Sequence, residues 1–418
     1  MSDRPVGALR SRPRRQAATL VSLLAVSALA AGCTSSTIDQ AGPAGSDNAG
    51  GEPSAAASGP AAPAESAVTV ASNVRRAGVE VDKTVTLTAE DGTFESVDVT
   101  VGRAGKRLAG ELSADRTTWT STQRLEPGTR YRVATTAVDT DGVEATRTST
   151  FRTQALSLSQ QTYPSFVPLA GETVGVGMPV IVHFDVPVSD KAAIEKHLRV
   201  TNTSHQRGAW HWISDHEVHW RPATYWKPGT DVTVTADVNS IPAGNGIYGQ
   251  VSRTSTFHVG DSVISKVNAQ THQMKTFVNG RLARTTPITT GKPGFTTRSG
   301  VKVIIEKFRH KRMNSETVGI DRDSPDAYDI DDVEYAMRVT YSGEFLHAAP
   351  WSVGFQGSSN VSHGCTGMST ADAAWIYNIS KRGDVVEYTG TDRPMTLDNG
   401  YGDWNDSFAA WKTGSALS

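Results

Sequence analysis

Cysteine is nearly absent from this chain: 418 residues hold two, Cys33 and Cys365. Cys33 closes an N-terminal export pattern. An exported protein would then keep one thiol and have no partner for an internal disulfide. Cys365 is therefore either a reactive thiol or a small buried apolar residue. Net charge is small too. The formal net charge is −2, and no basic block lies outside the N-terminus. That balance excludes the electrostatic footprint of a nucleic-acid binder. Long helical periods are rare while Gly, Thr, Ser and Val abound, which predicts mostly β structure. The length allows two to four domains.

The N-terminus reads as an export signal. Arg4, Arg10, Arg12, Arg14 and Arg15 precede a mostly apolar run from Ala17 to Ala31, then Gly32-Cys33. The run is shorter than the roughly 20 residues a membrane span needs. Small residues before a cysteine resemble a lipoprotein cleavage site, with Cys33 as the lipidated first residue. Ala30 departs from the usual Leu three residues before that Cys. The alternative is an ordinary signal or an uncleaved anchor. Residues 34–65 are mainly Ala, Gly, Ser and Pro, with too few large apolar side chains to fold. They read as a tether between membrane and first domain.

An internal repeat follows. Trp119 lies eight residues before Pro127-Gly128-Thr129, and Thr148-Ser149-Thr150-Phe151 closes the unit. Trp220, Pro228-Gly229-Thr230 and Thr254-Ser255-Thr256-Phe257 repeat the order about 100 residues on. Short alternating strands between turn signals predict two small β-sandwiches, at 66–153 and 154–258. The second holds His205, His211, His216 and His219. These could ligate a metal, but no spacing matches a metal motif. A hairpin explains them better. Its alternation sets Trp210, Trp212, Val218 and Trp220 on a core face and His211 and His219 on a solvated one.

From residue 259 to 390 the pattern changes to a third, β-rich domain, followed by an extension at 391–418. Asn279-Gly280 marks a hairpin. Ser369 and Asp372 form a capping box for a short helix reaching about Ile379. At the centre stands Ser362-His363-Gly364-Cys365, with His347 fifteen residues before Ser362. A thiolate can attack an amide carbonyl to give a thioester, which an amine then opens. A base must take the thiol proton and pass it to the leaving amine; His347 is the candidate. No metal or nucleotide cofactor is needed.

These residues resemble the signature of the L,D-transpeptidases, the family with the YkuD-type catalytic domain. His347 through Gly354 and Lys381-Arg382-Gly383-Asp384 also resemble the actinobacterial branch, which carries immunoglobulin-like domains. The resemblance implies a mainly β chain: two immunoglobulin-like β-sandwiches, then an L,D-transpeptidase catalytic domain. It implies that Cys365 is the nucleophile and His347 the base, with its imidazole oriented by the Ala348 carbonyl. Backbone amides of His363, Gly364 and Cys365 would bind the oxyanion. Tyr328 and Met313 fall where the branch has substrate-lid residues, although Tyr328 reads equally as a packed loop aromatic. Trp351 would line the cleft or belong to the core, and Ser362 would face substrate. The family commonly has Asn or Arg at the position of Gly367, and an apolar residue at that of Thr366. The implied reaction is 3→3 cross-linking of peptidoglycan stem peptides, from a tetrapeptide donor to an acceptor amine. Carbapenem β-lactams would be inhibitors. Alternatives are an L,D-carboxypeptidase and a non-catalytic wall-binding lipoprotein. The expected location is the outer side of the membrane, lipid-anchored and facing the wall. Trp404, Phe408 and Trp411 of the extension would pack on the catalytic domain or the second sandwich.

Overall fold

The computed structural model describes residues 65–102 and 105–418. The export signal, Cys33 and nearly all of the tether lie outside the described residues. The first sandwich faces a four-stranded sheet (69–72, 86–90, 118–121, 110–112) against a second one (106–107, 92–101, 130–139, 144–152). Trp119, Leu87, Phe94, Leu125, Tyr131 and Phe151 fill the space between. A Cβ on Gly110 would overlap the Trp119 indole, so glycine makes room for the repeat's tryptophan. The Tyr131 hydroxyl accepts the Glu126 amide at 2.7 Å and ties the Pro127-Gly128-Thr129 turn to the core.

The second sandwich pairs 164–167, 180–184, 217–222 and 208–212 in one sheet and 173–174, 253–259, 231–236 and 198–202 in the other. Its junction with the first is small and polar. Arg124 reaches Asp237 at 2.7 Å, and Ser240 Oγ donates to the Leu125 carbonyl at 2.7 Å. Its junction with the third domain is apolar and continuous. Val176, Met178 and Trp226 share one core with Val303, Ile305, Val385 and Tyr401. Gly175 and Gly177 donate to the carbonyls of Arg382 and Gly383 at 2.8 Å each, and a Cβ on either glycine would collide with 383–385. The Lys381-Arg382-Gly383-Asp384 motif is thus the seam between these domains. Mobile linkage is expected of small polar junctions, and shared cores are rigid.

The third domain packs a five-stranded sheet (281–287, 273–278, 263–268, 385–389, 300–303) against a four-stranded one (306–314, 329–338, 345–348, 366–368). Asn279 and Gly280 both take positive φ in the hairpin turn. Helix Thr370–Ile379 begins at Ser369, whose hydroxyl accepts the Asp372 amide.

One expectation is corrected here. The hairpin registers Trp210 with Trp220 and His211 with His219, as alternation requires. The histidine face, however, is not solvated: His219 is only 2% exposed. The C-terminal extension covers it. His219 Nδ1 donates to Asp403 Oδ1 at 2.8 Å and Nε2 to Glu217 Oε1 at 2.9 Å. The His211 ring stacks on Trp411 at 4.4 Å. Arg221 lies 4.8 Å from both the Trp404 and Trp411 rings. The extension also reaches the catalytic domain, where Asn405 bonds both backbone groups of Val301 at 2.8 Å. It therefore bridges two domains rather than packing on the catalytic domain alone.

Candidate active site

Strand Phe345–Ala348 runs parallel to Thr366–Met368, with His347 opposite Gly367. That register brings His347 and Cys365, the residue just before the second strand, into the wall of one cavity of about 310 Å³. Tyr328, Met313, Trp351, Ser362, His363 and Gly367 line it as well. Trp351 is 55% exposed at its mouth, which excludes the core alternative. Gly364 stands beside the cavity with φ +118°, a conformation that side chains rarely adopt.

His347 is buried and donates from Nδ1 to the Ala348 carbonyl at 2.7 Å. That bond sets the tautomer and leaves Nε2 as the basic atom. Burial pushes its pKa down. Burial also pushes the Cys365 thiol up to about 12, against the lowering effect of the Phe345 N–H. At neutral pH the pair rests as thiol and neutral imidazole rather than as an ion pair. The thiol donates to the Gly343 carbonyl at 3.6 Å. A nucleophilic attack by this sulfur would therefore require removal of the thiol proton.

The loop geometry redistributes the expected roles. Ser362 Oγ donates to the Cys365 carbonyl at 2.6 Å and accepts the Gly364 amide at 3.1 Å. The Gly364 N–H is thus committed inside the loop, and its contribution is conformational. Thr297 Oγ1 holds the Gly364 carbonyl at 2.8 Å. Asn360 Oδ1 accepts the Thr290 amide at 3.0 Å, and Asn360 Nδ2 donates to the Ala269 carbonyl at 2.9 Å. Sequence reasoning missed Thr297 and Asn360. Neither carries a signal, since each acts through partners far away in the chain.

The Tyr328 ring lies 5.1 Å from the His363 ring, and Phe295 closes on its edge at 4.7 Å. Burial pushes the Tyr328 hydroxyl up to about 12. Two residues earlier, Asp326 binds Lys292 Nζ at 2.5 Å and lies 3.6 Å from His363 Nε2. The tyrosine loop is thereby latched over the cysteine loop. At Gly367, a Cβ would come within 2.9 Å of Ala349 Cβ and 3.1 Å of Thr289 Cγ2. The wall closes on glycine here, and a larger side chain would displace it.

Residues 262–387 match the model of the L,D-transpeptidase catalytic domain, and residues 76–242 that of a bacterial Ig domain. The chain is 38% identical over 340 residues to L,D-transpeptidase 2 of Mycobacterium tuberculosis (strain CDC 1551 / Oshkosh), covering 81% of this chain and 82% of the relative. It is 35% identical over 336 residues to L,D-transpeptidase 5 of strain ATCC 25618 / H37Rv, covering 78% and 72%. Among solved structures, an LD transpeptidase (LdtMt1) in complex with imipenem matches with TM-score 0.49 and 35% identity, over 55% of this chain and 99% of that one.

Proposed function

Since this chain belongs to the L,D-transpeptidase family, it is an acyl-transferring enzyme, and we propose that Cys365 and His347 carry its chemistry. In this reading Cys365 Sγ attacks the carbonyl of the third residue, a diamino acid, of a peptidoglycan tetrapeptide stem. His347 Nε2 takes the thiol proton and delivers it to the departing D-Ala amine. The thioester then meets the side-chain amine of a neighbouring stem, which loses its proton to His347 as the 3→3 amide forms and the sulfur leaves. The amides of His363 and Cys365 are the proposed oxyanion donors, since that of Gly364 is committed to Ser362. Tyr328, Met313 and Trp351 would hold the donor stem in the cavity. Carbapenem-type β-lactams would acylate the same sulfur.

The observation that carries this reading is the bond from His347 Nδ1 to the Ala348 carbonyl, which leaves Nε2 free in the cavity that Cys365 lines. Incubation with a tetrapeptide stem should release D-Ala and give a cross-linked dimer, and Cys365→Ala should give neither. Tripeptide without dimer, in the presence of acceptor amine, would point to a carboxypeptidase instead. We further propose that the protein is exported and lipid-anchored through Cys33. The basic, apolar, small-residue, cysteine order supports this.

A further inference from the structure

Three charged side chains converge beneath the Cys365 loop, and none of them lines the cavity. Lys302 Nζ pairs with the Glu344 carboxylate. Arg298 places Nη1 2.9 Å and its backbone N–H 3.1 Å from Glu344 Oε1. Lys302 is fully buried at 0% exposure and sits 3.7 Å from the centroid of the Tyr388 ring. The Tyr388 hydroxyl bonds Thr366 Oγ1 at 2.8 Å, on the residue following the nucleophile. Glu344 lies between the two groups that touch the sulfur. The Gly343 carbonyl accepts the thiol, and the Phe345 N–H points at it.

Burying ions is expensive, typically several kcal/mol each, unless they are well paired. Here two cations meet one carboxylate, so the cluster keeps an excess positive charge in a low-dielectric place. We propose that Lys302, held by Glu344 and Arg298, is a positioning residue whose buried positive charge favours the Cys365 thiolate as acylation begins. The thiol proton still goes to His347, and Lys302 keeps its own.

Other charged or titratable groups face the sulfur from each neighbouring element. Arg338 comes from strand Asp329–Arg338 and is paired with Glu306. His347 comes from the parallel strand, Tyr328 from the lid, and His363 from the cysteine loop with Asp326 and Lys292 behind it. Tyr388 comes from strand Val385–Thr389. Burial pushes the thiol pKa up most; Glu344 adds more to that than Lys302 takes away, and Arg338 takes away less still, so Lys302 acts on the sulfur by offsetting the carboxylate beside it. Burial lowers the pKa of Lys302 to about 8 against the pull of Glu344, so it is cationic below that pH.

The inference rests on Cys365 being the proposed nucleophile, but its test needs no peptide. Alkylation of Cys365 by iodoacetamide is followed from pH 6.5 to 9.5. Lys302→Met should slow it about tenfold at pH 7, equal to a thiol pKa about one unit higher. The gap from wild type should narrow above pH 8, where Lys302 itself loses its proton. Arg298→Met, at the rim with its side chain 15% exposed, should give a smaller shift in the same direction, and Arg298→Lys should restore the wild-type curve. Unchanged alkylation in folded Lys302→Met would overturn the inference and leave the cluster a packing device. If that variant does not fold, Arg298→Met decides in the same way. A shifted curve in a protein that makes no cross-link would keep this inference and reject the reaction proposed above.

Discussion

Replacing Asp403 by asparagine tests how the C-terminal extension is fastened. His219 is buried between the Asp403 and Glu217 carboxylates. Burial alone would push its pKa down, but the two carboxylates hold it at about 9, above the ordinary 6.5. A gap of that size is worth roughly 3 kcal/mol. The sign follows from the raised value. The contribution is complete below about 6.5, declines as the pH rises, and is gone above about 9. Asp403→Asn leaves the Glu217 pair in place and should therefore cost part of this, up to about 3 kcal/mol at pH 6, or up to about 6–12 °C in Tm for a unit of roughly 250 residues. Thermal unfolding of both proteins from pH 6 to 9.5 is the assay. The two Tm curves should converge as the pH approaches 9.5. Equal Tm at pH 6, or a gap that ignores pH, would refute the reasoning.

Other outcomes follow from the same geometry. Asp326→Asn removes the charge that latches the Tyr328 loop to Lys292 and His363; KM for the donor stem should rise several-fold with kcat changing less, and an unchanged KM would deny the latch. Deletion of residues 66–153 should leave a folded protein with an intact acylation rate, since that junction is small and polar; loss of the chemical step with the fold retained would contradict it. Cys33→Ala should abolish labelling by a fatty-acid analogue, and labelling that persists would reject the lipid anchor.

Features set by neighbours in sequence were legible. Asn279-Gly280 turns because Asn and Gly tolerate positive φ, and Ser369 caps its helix through a residue three positions on. The β-sandwich alternation and the two tryptophan repeats were readable for the same reason. The proposed nucleophile and base, Cys365 and His347, stood out because a lone thiol with nearby histidines is an uncommon combination, and the family resemblance suggested their roles. What escaped was determined at long range. His219 has the pattern of a solvated strand position, and only an aspartate 184 residues away turns it into a buried cation. Nothing in the sequence marks Lys302, Glu344 and Arg298 as partners, and the fold alone gathers them beneath the cysteine loop. The resemblance makes Gly364 an oxyanion donor. The loss of its N–H to Ser362 depends on how the loop closes, which residue identities do not reveal.

The central claim is that Cys365 becomes acylated with His347 as its base. Intact-mass spectrometry of the purified protein, quenched seconds after mixing with a tetrapeptide stem, tests it most directly. Wild type should gain the mass of the tripeptide acyl group, as a thioester that hydroxylamine removes. His347→Ala should gain it at least about a hundredfold more slowly, and Cys365→Ala not at all. Folded wild-type protein that shows no adduct and releases no D-Ala, or a Cys365→Ala variant that still carries the adduct, would contradict the account.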